Sequence, residues 1–457
     1  MQATDYHLQV GSDSVRKTTT AWLMLGLASL VGAGIFSLLL VLARTPTIQE
    51  IIPFVNFFRI ALVVHVNLSV LIWLLSMAGV FWSLSSSRDL PRWDRVSFLL
   101  AASGTAIVII SPFAGAGDPL MNNYVPLLRH PLFYTGLGLF TAGIASHLLR
   151  SALTRNGISS GLDGAAALQF GATLSAITTA VAIAAFIASW AGIPASMDGA
   201  VYFEFLFWGG GHILQYTHTL LMMVAWVVLA HASGCRFELT PRLTLTFLTI
   251  MALPVITVPF LYIAHEVISP GHRLAFTELM KYGGLSCLPL GLAVFVSLIK
   301  AGKPAAECGP EGNYLRAALI ASISLFAVGG VLGFMITGLD IVIPAHYHGS
   351  TVGVTIAFMG LCYYLLPRLG FGELPPRLAT WQPYLYGGGQ LLHIAGLAWS
   401  GGYGVQRKTA GLAQSLDRMG EVAGMGLMGL GGLVSVIGGL LFLIVCYKSI
   451  RGRSRDV

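Results

Sequence analysis

Long apolar runs, each closed by a short polar stretch, recur from one end of the chain to the other. A run of about 20 residues is enough to cross a bilayer as a helix. Runs of that kind lie near 20–43, 58–85, 97–115, 131–153, 167–194, 201–231, 243–266, 278–299, 314–338, 344–367, 380–402 and 424–447. The pattern predicts an all-α polytopic membrane protein of twelve transmembrane helices. It divides the chain into a polar N-terminal segment, 1–19, one helical domain, 20–450, and a basic tail, 451–457. The opening MQATDYHLQVGSDSVRK is polar and has no apolar core, so no cleavable signal peptide is expected. No internal repeat stands out.

Composition agrees with the pattern. Only 10% of residues are charged and 55% are hydrophobic, whereas soluble domains carry about 25% charged residues. The 54 glycines suit closely packed transmembrane helices. Basic residues then orient the chain, because cytoplasmic loops collect Lys and Arg. With both termini cytoplasmic, 18 of the 26 basic residues fall on the inner side. The basic balance follows from this bias and from anionic lipid, and calls for no nucleic-acid partner. The five scattered cysteines form no C-x-x-C pair, which argues against a disulfide framework or covalently attached haem.

The candidate chemistry lies in the histidines. His346 and His348 stand two positions apart in an apolar segment, so their side chains point about 200° apart on a helix. The two rings must serve two different neighbours. An ionisable side chain in the membrane is a functional candidate by default. Followed through the expected topology, His65, His212 and His265 on three other segments fall in the same outer half of the membrane as this pair. Scattered core histidines would not be expected to agree in depth. From these residues two haems and one non-haem metal can be built: a closed bis-imidazole haem for electron transfer, and a mono-imidazole haem open to a gas. A carrier is the competing class for such a layout, and it leaves the shared depth unexplained.

These residues resemble catalytic subunit I of the haem–copper oxidase superfamily, along nearly the whole chain. The resemblance implies that His65 and His348 hold the low-spin haem and His346 the high-spin haem, both expected to be b-type. It implies that His212 and His265 hold the non-haem metal, copper or iron. Tyr216, four residues after His212, matches a family tyrosine that serves oxygen reduction. Arg407 and Lys408 match basic residues that bind haem propionates. Leu339-Asp340-Ile341-Val342 resembles the family's approach to the H-x-H helix.

The departures bear on the substrate. The family's usual H-P-E-V-Y reads His212-Ile213-Leu214-Gln215-Tyr216 here, without the proline or the proton-feeding glutamate. The threonine and lysine of the other proton channel match Leu290 and Ala293. Glu266 stands where the family has a third imidazole, and two histidines with one carboxylate suit Fe(II). The expected activity is reduction of nitric oxide to nitrous oxide without proton pumping, with oxygen reduction as the alternative. An electron-donor subunit, a cytochrome c or a copper domain, is the expected partner, and a bacterial or archaeal plasma membrane the expected location. His218 is read as packing. His130, His147, His231, His272 and His393 are placed near segment ends or loops as structural or interfacial residues, with His272 and Glu278 close to the expected outer proton entry.

Overall fold

The fold is described from a computed structural model that covers residues 5–42, 57–86, 88–115, 117–122, 124, 126–154, 162–235, 239–302, 308–338, 340–405 and 418–452. The helices are α1 (Asp13–Leu42), α2 (Phe57–Val66), α3 (Trp73–Leu84), α4 (Pro91–Ile110), α5 (Pro131–Thr154), α6 (Gly164–Gly192), α7 (Gly199–Ala232) and α8 (Pro241–Ala252). They continue as α9 (Val258–Ala264), α10 (Pro270–Gly283), α11 (Leu288–Ala301), α12 (Gly309–Phe334), α13 (Val342–Arg368), α14 (Pro376–Gly401) and α15 (Met419–Arg451). Among the described residues, eleven helical spans are long and apolar enough to cross a membrane. The expected twelfth span, 380–402, is helical as α14 but is not one of them. Gln382, Gln390, His393 and Arg377 dilute its apolar content.

Three predicted segments are interrupted, each for a local reason. The 58–85 segment is α2 and α3 joined by a π-helical stretch, Asn67–Ile72. There the Asn67 side-chain amide donates to the Val63 and Pro126 carbonyls at 2.8 and 2.6 Å, and the Ser69 hydroxyl donates to the His65 carbonyl at 2.8 Å. Side chains that insert into the backbone ladder loosen it. The 243–266 segment is α8 and α9 with a 3-10 turn, Leu253–Thr257, between them. Pro254 and Pro259 lack the amide hydrogens that a continuous helix needs. The 278–299 segment begins at Pro270, where the Ser269 hydroxyl caps the His272 amide at 3.1 Å, and breaks at Gly284–Cys287. A short antiparallel hairpin that the pattern did not predict, β1 (Pro119–Met121) and β2 (Pro126–Leu128), joins α4 to α5.

The chain forms two compact units. The first comprises Met1–Val224 and Leu239–Leu292, the second Ala225–Glu238 and Ala293–Val457. In the first, α4 packs on α5 and α1 on α3. Arg150, expected among the loop charges, is 1% exposed and meets Asp94 at 2.7 Å inside this unit. His147, expected near a segment end, is fully buried within α5 and contacts the Ser83 hydroxyl at 3.1 Å. In the second unit α12 to α15 pack side by side around Leu325, Ile356, Ile394 and Leu397. Glycines set the closest approaches: a Cβ on Gly431 of α15 would lie 2.2 Å from the His393 amide nitrogen of α14.

Candidate functional site

Each unit carries its own histidines, and the same local device recurs. In the first unit His65, at the end of α2, meets the Ala33 carbonyl of α1 through Nδ1 at 2.8 Å. His212 of α7 meets the Trp208 carbonyl one turn back through Nδ1 at 2.6 Å. In the second unit His346 of α13 meets the Gly329 carbonyl of α12 through Nδ1 at 2.7 Å. A carbonyl only accepts, so Nδ1 carries the hydrogen in all three rings. The Nε2 lone pair is therefore left for a metal, which is how protein partners orient ligating imidazoles.

The helix-period argument for His346 and His348 holds within the second unit. His346 faces α12, where a Cβ on Gly333 would lie 2.8 Å from its ring. His348 faces α14, and its ring centroid lies 4.8 Å from that of His393. The pattern had placed His393 near a helix end. It lies inside α14 and is itself anchored through Nδ1 to the Met428 carbonyl at 2.9 Å. The Asp340 carboxylate caps the start of α13 by accepting from the Val342 amide at 2.8 Å. Leu339, Arg407 and Lys408 lie outside the described residues.

Around His212 the first unit builds an aromatic wall. Trp208 and Tyr124 have ring centroids 4.7 and 4.6 Å from it, and Phe276 lies at 6.1 Å. Tyr124 comes from the hairpin connection and accepts from the Gln215 side chain at 2.7 Å. Burial pushes the Tyr124 phenol well above its ordinary pKa, so it stays protonated. Arg273 braces the same wall. It pairs with Glu204 at 2.9 Å and lies over the Trp208 ring at 4.8 Å. Tyr216 is buried and donates its hydroxyl to the Leu279 carbonyl at 2.7 Å. That approach needs the glycine at 283, where a Cβ would lie 2.2 Å from the Tyr216 oxygen.

His265 terminates α9 in an extended conformation, and Glu266 beside it is exposed. His272 is the opposite case. It is fully buried on α10, and neither ring nitrogen has a hydrogen bond. Its neighbours are the rings of Phe276 at 4.8 Å and Tyr262 at 5.0 Å. An orphaned buried polar group of this kind costs about 1–3 kcal/mol. The Nε2 atom of His218 is also buried without a partner. Among the described residues, no three of His212, His265, Glu266 and His272 bring donor atoms close enough to share one ion. The donor chemistry fits haem iron and a first-row metal, with imidazole nitrogens freed at Nε2 and an unpartnered His272 nearby. Leu290, which matches a polar proton-channel position of the family, is fully buried on α11.

Comparison with known proteins agrees with this architecture. The family described as "Cytochrome C and Quinol oxidase polypeptide I" matches residues 17–441, and the chain belongs to it. It is 31% identical to an uncharacterized protein of Rickettsia prowazekii (strain Madrid E), over 94% of this chain and 95% of that protein. An uncharacterized protein of Aquifex aeolicus (strain VF5) is 28% identical over 79% and 88% of the two chains. A heme-copper terminal oxidase dimer solved by cryo-electron microscopy shares the fold, with a TM-score of 0.73 and 17% identity, over 96% of this chain and 84% of that one. The chain is thus a multi-pass membrane protein of a family of respiratory oxidoreductases that normally binds haems and a metal site.

Proposed function

We propose that this chain reduces nitric oxide to nitrous oxide without pumping protons. The observation that carries the substrate choice is the Tyr216 hydroxyl, which is committed to the Leu279 carbonyl. Reducing O2 to water takes four electrons and four protons, and the last electron must be found locally. Two NO plus two electrons and two protons give N2O and water, so no phenol need be drawn on. Leu214, Leu290 and Ala293 at the family's proton-feeding positions support the same choice. Oxygen reduction is the second reading, because Tyr216 lies on the His212 face of α7 at i+4.

His65 and His348 would hold a low-spin haem and His346 a high-spin haem, both b-type. His212 and His265 would hold a non-haem metal, copper or iron. Glu266 is the third ligand by position, while the unpartnered nitrogens of buried His272 favour His272 as an alternative. When bound, this haem and metal pair supplies electrons and an open coordination site for the gas. The wall of Trp208, Tyr124 and Phe276 keeps bulk water from His212. The carbonyls of Ala33, Trp208 and Gly329 hold the three imidazoles in one tautomer. Arg407 and Lys408 bind the propionates. Electrons come from a cytochrome c or copper-domain subunit. Both termini are cytoplasmic in a plasma membrane, and the Rickettsia and Aquifex relatives support a bacterial one.

The test is Tyr216→Phe in reconstituted vesicles, assayed with both gases. NO reduction should survive the change, with no protons appearing outside during turnover. Fast O2 reduction in the parent that is lost in Tyr216→Phe, coupled to outward proton release, would replace this reading with the oxidase.

A further inference from the structure

The second unit holds a cavity away from the histidines, with a volume of about 420 Å³. It opens between the first turns of α12 and α14, beside the end of α11. Asn313, Arg316, Arg377, Thr380, Trp381 and Tyr384 supply its polar and aromatic lining. We infer that this cavity binds the phosphate headgroup of an anionic phospholipid.

The cavity wall carries net positive charge. Arg316 donates to the Leu298 carbonyl at 2.7 Å, which fixes its guanidinium at the wall without neutralising it. Arg377 is exposed and, among the described residues, makes no hydrogen bond or ion pair. Glu311, the acid at the start of α12, is taken by Arg368 at 2.7 Å. Two cations thus face one cavity, and no carboxylate lines it among the described residues. The helix ends add to the field, since neither α12 nor α14 has a side-chain cap at its N-terminus. The first-turn amides other than those of Pro310 and Pro376, which have no amide hydrogen, are left to attract negative charge.

The aromatic mouth separates a lipid from a soluble anion. Trp381 and Tyr384 at the mouth are 64% and 44% exposed. Amphipathic rings of this kind mark the level of lipid headgroups. Ile320, one turn beyond Arg316, continues the lining into α12, a span of mean hydropathy 2.2. A ligand with phosphate at the arginines therefore has hydrocarbon next to it, as a phospholipid does. Basic pockets between transmembrane helices are where acidic headgroups are recognised.

The test uses the full chain purified with its haems in detergent. Native mass spectrometry follows titration with phosphatidylglycerol, cardiolipin or phosphatidylcholine. Retention of the tightest acidic lipid should fall about fivefold in Arg377→Gln, the worth of one basic residue near a membrane surface. Arg377→Lys should restore it, and unchanged haem spectra show that both variants fold. Phosphatidylcholine should bind weakly and alike in all three proteins. Equal affinity for acidic and neutral lipid, or an unchanged Arg377→Gln, would overturn the site. Displacement of the bound lipid by millimolar inorganic phosphate would overturn the lipid in favour of a soluble anion.

Discussion

At the scale of single residues, the anchored imidazoles make the sharpest predictions. His65→Ala should abolish the bis-histidine spectrum and leave a haem that still binds carbon monoxide. An unchanged low-spin band would remove His65 from the ligand set. For the non-haem metal, His212→Ala should lower metal content with both haems retained. Glu266→Gln and His272→Asn then decide the third donor by metal analysis of the purified protein. The variant that loses metal identifies it, and retention in both leaves His212 and His265 as the protein ligands. The pair at 346 and 348 was legible because a helix turns each residue by a fixed angle. Their separate neighbours, Gly329 and His393, follow from it. Tyr124 was not legible. It reaches Gln215 across 91 residues of sequence, and its loop carries no periodicity to announce the contact. The apolar pattern puts His272 near a segment end or loop because the start of α10 lies eight residues before the apolar run. Its Ser269 cap was the available signal.

At the scale of elements, glycine decides which helices touch. Gly431→Ala places a methyl 2.2 Å from the His393 amide nitrogen. Overpacking of this kind costs about 1–3 kcal/mol. The midpoint of thermal loss of haem absorbance should drop by several degrees, with the His393 anchor on Met428 disturbed first. A midpoint within error of the parent would show that α15 yields without strain. Helix existence was readable almost throughout, because an apolar run that must satisfy its own backbone has few other forms. The breaks were less readable. The break between α8 and α9 falls inside a span read as continuous, at Pro254 and Pro259, whose missing amide hydrogens cannot extend the ladder. The π-helical stretch after His65 depends on the Asn67 bond to Pro126 in the hairpin, and is silent in the local pattern.

At the scale of the molecule, the two units are interleaved along the chain, and apolar patterning carries no mark of that. Their boundaries fall inside α7, between Val224 and Ala225, then between Glu238 and Leu239, and inside α11, between Leu292 and Ala293. A run of hydrophobic residues looks the same on either side of such a boundary, so length and composition pointed to one domain from 20 to 450. The interleaving dictates an order of birth. A ribosome delivers the chain from its first residue onward, and the first unit lacks its closing segment until Leu292 has left the tunnel. The end of α7, Ala225–Ala232, enters the membrane long before the remainder of its own unit and must wait there for Ala293 and beyond. Between those two points in synthesis the packing surfaces of both units are incomplete.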